Sequence, residues 1–359
     1  MLGENNFKNA VCIEMKRKEL LYTGRIGWTE QEEPLFIFPA SSVAFRFWGT
    51  GLGICLTNWK QYWDSYLGVI IDGIEKKFKL KDMKEPQYIE IANNLDDKEH
   101  KVMIFKRMDN CHQFIIHHLL LSASSRICPA PLCPKRRIEV YGDSVSAGEV
   151  SEAIEYIGKE DPIHNGEFSN SYHSYAWILA RKLNAQLYDI AQGGIALMNK
   201  TGWFLEPDAM GMESVWDKIS YNPFFGKITF WDFSKYQPEV VIIAIGQNDS
   251  HPLDYMAEDD TCERAIEWRR HYKDFVKKIR NVYPLALIVL QTTLLCHHEN
   301  WDKAIEDVCR ELNDKKVVHY LYKRNGKGTP GHLRVTEAEE MAEELAVFLK
   351  SFGSSIWGE

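Results

Sequence analysis

Ile138-Glu139-Val140-Tyr141-Gly142-Asp143-Ser144-Val145-Ser146-Ala147-Gly148 begins as a short β-prone apolar run and breaks at Gly142. It then offers an acid and a hydroxyl where a strand should be ending. A serine at the carboxyl end of a strand, ahead of a helix, sits among backbone N–H groups aimed at whatever its hydroxyl attacks. Nucleophile and first oxyanion donor then come from one turn, which suits acyl transfer. Alone, the stretch reads as a plain Gly-Asp-Ser turn, and its meaning depends on the residues downstream.

Beyond Gly148 the chain alternates between the two periodicities. The pattern predicts a helix over 171–183 and a strand over 185–190 that runs into Gly193-Gly194. Pro238-Glu239-Val240-Val241-Ile242-Ile243-Ala244-Ile245 is an apolar, β-branched strand of the kind buried on both faces of a parallel sheet. It ends at Gly246-Gln247-Asn248-Asp249. A helix over 261–281, a strand over 285–290, a helix over 301–313, the strand Val317–Tyr320 and a last helix from about 337 to 351 complete the series. Alternating strands and helices predict a three-layer α/β/α domain with a mostly parallel sheet, whose ligands sit beyond the carboxyl ends of the strands.

Three of those ends carry groups that acyl transfer needs. Ser144 is the candidate nucleophile, and its own N–H a first oxyanion donor. Gly193 lets a backbone N–H approach an oxyanion with no Cβ in the way. The Asn248 amide supplies a third donor. A serine also needs a base. His332 lies in Gly328-Thr329-Pro330-Gly331-His332, a loop that enters the last helix, where Thr336 and Glu339 are expected to form a capping box. His251, His297 and His298 are the other candidates, less well tied to a defined helix start. Asp143, beside the nucleophile, is a candidate substrate contact. So are Trp203, Trp216, Trp231 and Trp301, which fall in or beside loops at strand ends where a pyranose ring could stack; a given Trp is more often core, and at least one of the four is expected to touch sugar.

Upstream, residues 9 to about 126 read as short strands at turn-punctuated spacing. Phe45 and Phe47 alternate with Ala44 and Arg46, and Asp72-Gly73 marks a hairpin. Little helical periodicity interrupts them, so a β-sandwich of jelly-roll type is expected. Cys128-Pro129-Ala130-Pro131-Leu132-Cys133-Pro134 reads as a stiff linker. The expected organisation is therefore a sandwich at 1–126, a linker at 127–135 and the α/β/α domain at 136–359.

With 43 Lys and Arg against 51 Asp and Glu, the net charge of −8 excludes the basic footprint of a nucleic-acid binder. No run of about 18 apolar residues predicts a membrane span. The first residues show no leader pattern, so a cytoplasmic protein with reduced cysteines is expected. Cys128 and Cys133 have no second pair, so no zinc site and no other metal or cofactor is expected.

Taken in order, Gly142-Asp143-Ser144, the glycine of Gln192-Gly193-Gly194-Ile195, Gly246-Gln247-Asn248-Asp249 and His332 resemble the SGNH (GDSL-type) hydrolase superfamily. Gly24-Arg25-Ile26-Gly27-Trp28, Phe45-Arg46-Phe47-Trp48-Gly49-Thr50-Gly51 and Phe230-Trp231-Asp232-Phe233 narrow the resemblance to carbohydrate esterase family 2. That resemblance implies removal of O-acetyl groups from plant-polysaccharide oligosaccharides, β-mannan first and xylan second, through an acetyl-enzyme on Ser144. One departure stands out. The superfamily places an Asp two or three residues before the histidine, and here those positions are Pro330 and Thr329. The resemblance then implies a Ser–His dyad oriented by a backbone carbonyl, with an acid from elsewhere as the alternative. Two other readings stay open: an esterase or thioesterase for lipid or another small acyl group, and a carbohydrate-binding protein without catalysis.

Overall fold

The computed structural model describes residues 9–358; the reading of a leader-free start concerns residues outside that range. Twelve strands fill the N-terminal part: β1 Val11–Glu14, β2 Leu21–Thr23, β3 Gly27–Trp28, β4 Pro34–Phe36, β5 Ser42–Gly49, β6 Leu52–Lys60, β7 Ser65–Ile71, β8 Ile74–Leu80, β9 Met83–Ala92, β10 Lys98–Lys106, β11 His112–Leu121 and β12 Arg126–Ile127. They form two antiparallel six-stranded sheets. One runs β3-β4-β11-β6-β9 with β1 on β11, and the other β12-β5-β10-β7-β8 with β2 on β5. The period-2 pattern sets which residues meet: Phe45, Phe47, Val102 and Ile104 from one sheet join Ile54, Leu56, Phe114 and Ile116 from the other in a single core. The last strand, β12, comes after β11 and reaches one residue into the expected linker.

Five parallel strands complete the chain: β13 Arg136–Gly142, β14 Ala185–Ala191, β15 Val240–Ala244, β16 Leu287–Gln291 and β17 Val317–His319. Their order is β14-β13-β15-β16-β17. The helices are α1 Ser144–Ala147, α2 Tyr175–Lys182, α3 Tyr255–Glu258, α4 Glu263–Val282, α5 Asn300–Leu312 and α6 Val335–Lys350. All five residues of β15 are buried, because helices cover both faces. On one face Tyr141, Val241 and Ile243 pack with Trp268, Phe275 and Trp301 of α4 and α5. On the other, Val140, Ile242 and Val289 pack with Leu179 of α2 and Leu345 of α6. The winding reverses between β13 and β15, the point where such sheets open a crevice, and Ser144 stands at the end of β13.

Two helix boundaries differ from the sequence reading. Residues 171–173 form a separate short 3-10 turn, and α2 starts after Ser174, whose Oγ accepts from Trp177 N–H. The last helix starts at Val335, two residues early. The capping acid is Glu337, which accepts from Arg334 N–H at 2.8 Å, so the Thr336–Glu339 capping box does not form. Arg334 is drawn into the cap because its guanidinium is fully buried behind His332.

Arg25 ties the two parts together. Its fully buried guanidinium donates to Glu139 Oε1 of β13, to the Tyr141 hydroxyl at 2.8 Å and to the Trp216 carbonyl at 2.5 Å. Removing one partner of such a pair strands a buried charge. Arg25→Met is expected to cost about 3–5 kcal/mol in urea unfolding. Arg25→Met combined with Glu139→Leu should recover much of that loss, and equal stabilities for wild type and Arg25→Met would refute the account.

Candidate active site

Gly142 ends β13 where a Cβ would lie 2.1 Å from Ser146 Oγ, so the turn into α1 can close only on glycine. Asp143 caps α1, its Oδ1 accepting from Val145 N–H at 3.0 Å. That leaves Ser144 as the first helical residue, with a backbone N–H that has no partner inside the helix. Asp143 is 1% exposed and is not part of the wall of the cavity that Ser144 lines. Its Oδ2 accepts from Gln247 Nε2 at 3.2 Å and from Asn248 Nδ2 at 3.4 Å. It is therefore a brace between two strand ends, not a substrate contact. Burial pushes its carboxyl up to about 6, against the lowering pull of the Val145 N–H and of His332.

His332 Nε2 lies 2.7 Å from Ser144 Oγ. Its Nδ1 lies 2.5 Å from Asp161 Oδ2, and its backbone N–H donates to Asp161 Oδ1 at 2.9 Å. Arg334 Nη1 meets the same Oδ1 at 2.9 Å. A carboxylate thus orients the ring, and the expectation of a backbone carbonyl in that role is corrected. Burial raises the Asp161 carboxyl, but hydrogen bonds from His164 and His332 outweigh it and hold the group far below the usual carboxylate range. Asp161 is 171 residues from His332 in sequence, so no local spacing links the two. The available signal is Asp161-Pro162-Ile163-His164 itself, an acid and an imidazole on one Pro-stiffened loop downstream of Ser144.

Gly193 and Asn248 line the same cavity as Ser144 and His332. Asp249, fully buried, accepts from Leu197 N–H at 2.7 Å and Met198 N–H at 3.1 Å, which fixes the two loops to each other. Asn248 Nδ2 donates to the Ile195 carbonyl at 3.0 Å. The Gly193 N–H, expected to serve an oxyanion, donates to Asp109 Oδ2 at 2.7 Å. Asp109 comes from the turn after β10 and Glu149 from the segment after α1, and no sequence pattern singles out either. A Cβ on residue 193 would lie 1.8 Å from Glu149 Oε1 and 2.8 Å from Asp109 Oδ2.

The cavity measures about 910 Å³. Gln61, Tyr62 and Trp63, beyond β6, line it from the N-terminal part of the chain, and Trp203 lines it from the loop after β14. Trp203 is 58% exposed and stacks one face on His251, ring centroids 3.4 Å apart. The other three tryptophans are structural. Trp301 is fully buried, with Nε1 donating to Asp254 Oδ1 at 3.0 Å; Trp231 is buried beside Arg25; Trp216 packs on Phe233 and Phe275. None of them lines the cavity: Trp216 and Trp301 pack in the layer between sheet and helices, and Trp231 packs against Arg25 and Tyr188. Of the other histidines, His297 reaches the cavity wall but spends Nδ1 on the Leu295 carbonyl at 2.6 Å.

Asp161, His164 and His332 each present a ligand atom within 4.8 Å of the others, as do Glu75, Glu152 and His173. In the first group both His332 nitrogens are engaged, by Ser144 and by Asp161. In the second, the Arg107 guanidinium supplies the positive charge, 3.1 Å from Glu75 and 2.7 Å from Glu152.

Residues 22–131 match the family model described as carbohydrate esterase 2 N-terminal. An acetylxylan esterase / glucomannan deacetylase of Cellvibrio japonicus is 28% identical over 294 residues, covering 80% of this chain and 76% of that protein. The cellulase/esterase CelE of Acetivibrio thermocellus is 26% identical over 92% of this chain, which spans 39% of its length. A family two carbohydrate esterase from Cellvibrio japonicus superimposes with a TM-score of 0.79 at 25% identity, over 98% of this chain and 99% of the other. The chain is a carboxylic ester hydrolase resembling carbohydrate esterase family 2. Its N-terminal sheets and its parallel sheet both fall within the family-two likeness. Among the described residues, no helix is long and apolar enough to cross a membrane.

Proposed function

We propose that the protein removes O-acetyl groups from oligosaccharides, with acetylated β-mannan the preferred substrate and acetylated xylan the second. The observation that carries this reading is the hydrogen-bonded line Ser144–His332–Asp161 opening onto a cavity walled by Trp63 and Trp203. His332 Nε2 takes the Ser144 proton as Oγ attacks the acetyl carbonyl. The tetrahedral oxyanion receives the Ser144 N–H and Asn248 Nδ2, whose 3.4 Å bond to Asp143 is weak enough to exchange. His332 returns the proton to the departing sugar oxygen. A water that it then deprotonates releases acetate from the acetyl-enzyme.

The ring planes of Trp63 and Trp203 suit the apolar face of a pyranose. The glucomannan and xylan activities in the name of the Cellvibrio relative support the same substrate class. In this division of labour the described residues up to 126 form the sandwich, 127–135 the linker and those from 136 onward the hydrolase domain. The N-terminal part is more than a neighbour, because Tyr62 and Trp63 are part of the cavity wall. The test is acetate release from acetylated glucomannan, acetylated xylan and a medium-chain acyl ester. Fastest turnover on the glucomannan is expected. Preference for the medium-chain ester would replace this reading with a lipid esterase.

A further inference from the structure

Glu149 is a buried acid at the reacting centre that the proposed acyl transfer does not use. It is 6% exposed, and its Oε1 has no hydrogen-bond partner among the described residues. Oε2 lies 3.8 Å from His332 Nε2 and 3.6 Å from His164 Nδ1, too far for hydrogen bonds. Its neighbour Asp109 is the opposite case. Asp109 Oδ1 accepts from Cys111 N–H at 3.0 Å, and Oδ2 accepts from both Gly193 N–H and Gln192 Nε2. Both carboxyls stand over the same side of the Gly193 Cα.

A buried carboxylate that receives no donor is costly, whereas one that receives three is accommodated. Glu149 Oε1 and Asp109 Oδ2 lie 1.8 and 2.8 Å from one point beside the Gly193 Cα, so the two carboxyls compete for one proton, and the donor count assigns it to Glu149. We infer that Glu149 is a positioning residue of this esterase: as a neutral acid it donates to Asp109 across Gly193, and turnover requires that proton.

The shared proton has three effects. It draws charge off Asp109 Oδ2, so the Gly193 N–H is released in part toward an oxyanion. It keeps a second negative charge away from the point where the tetrahedral intermediate becomes anionic. It also leaves His332 paired with Asp161 alone. The groups facing Glu149 come from every surrounding segment: Tyr62 beyond β6, Asp109 and Cys111 in the turn after β10, Asp143 before α1, Asp161 and His164 on one loop, His332 before α6. Lys106 Nζ is turned to the Met108 and Asp109 carbonyls and does not neutralise the pair. Burial first, then Asp109, Asp143 and Asp161, push the Glu149 carboxyl well above its ordinary value. Its proton is therefore lost as pH rises, and activity with it.

The inference rests on Ser144 and His332 carrying the hydrolysis, and the experiment separates the two. The pH dependence of kcat and KM on p-nitrophenyl acetate is compared for wild type, Glu149→Gln, Glu149→Ala and Ser144→Ala. Glutamine keeps the shape and donates an N–H to Asp109 at every pH. Glu149→Gln should stay within about threefold of wild-type kcat near neutrality and lack the alkaline fall, about tenfold per pH unit, that wild type shows. Glu149→Ala should lose at least about tenfold in kcat at every pH. A wild-type-minus-Glu149→Gln infrared difference spectrum near neutrality should show the C=O stretch of a protonated carboxyl. An unchanged alkaline fall in Glu149→Gln, or no such stretch, overturns the inference. If Ser144→Ala is as active as wild type, it is the hydrolase reading that fails.

Discussion

Asp161→Asn should lower kcat by about 10³–10⁴ on any ester the protein hydrolyses, or about 4–5.5 kcal/mol of transition-state stabilisation. The size reflects tautomer control. Oδ1 of Asp161 receives two donors, the His332 N–H and Arg334 Nη1. An asparagine must keep its carbonyl on that side, which turns its NH₂ toward His332 Nδ1. The ring then carries its proton on Nε2, 2.7 Å from Ser144 Oγ, where a lone pair is required. The loss is expected in kcat with KM little changed, because Asp161 lies behind the imidazole. Steady-state kinetics check it, and a loss under tenfold would return the orienting role to a backbone carbonyl.

Asp161 also has a signed pH consequence. Its folded-state pKa is depressed, so its stabilisation is fully present above the ordinary carboxyl value near 3.9. It is lost only as the pH falls through the depressed value. Asp161 is thus ionised wherever the protein works, and its own titration puts no acid limb in the working range.

Ser144→Ala should cost more, on the order of 10⁵–10⁶ in kcat. The change removes one oxygen atom from a buried turn; its bond to His332 Nε2 goes with it, while the bonds that hold the turn and the ring stay. The α1 cap runs from Asp143 to Val145, and the Asp161–His332 pair is made behind the ring. Stability should therefore change little. Residual turnover would come from the oxyanion donors and from His332 acting on water. Retention of kcat within about tenfold, measured on p-nitrophenyl acetate, would remove Ser144 from the chemistry.

The layers are legible in the sequence because they rest on periodicity and burial. Val240–Ala244 reads as a strand covered on both faces, and it is one. The alternation at Phe45 and Phe47 reads as a half-buried strand facing a core, and it is one. Ser144, Gly193 and Asn248 are legible because each falls at a strand end, and His332 because it sits on the loop that enters the last helix; all four line one cavity.

The groups that escape a sequence reading are those delivered by tertiary folding from segments without a pattern of their own. Asp161 sits on an irregular loop far in sequence from the ring it holds. Asp109 and Glu149 are single acids in polar turns, indistinguishable in sequence from solvated ones. The tryptophans show a different limit: Trp203 and Trp301 both lie near strand ends, and only packing makes one a cavity wall and the other core. At the last helix a buried guanidinium overrides a good local capping pattern, because Arg334 has to reach Asp161 and the Ala153 carbonyl.

The central claim is that acetyl passes through Ser144. Wild-type protein mixed with p-nitrophenyl acetate, quenched in acid within milliseconds, digested and analysed by mass spectrometry should carry one acetyl group on the peptide containing Ser144. That adduct should appear and decay as fast as acetate is released, and it should be absent from Ser144→Ala. Acetate release at the wild-type rate with no acetyl on that peptide, or with the acetyl on another residue, would contradict the account.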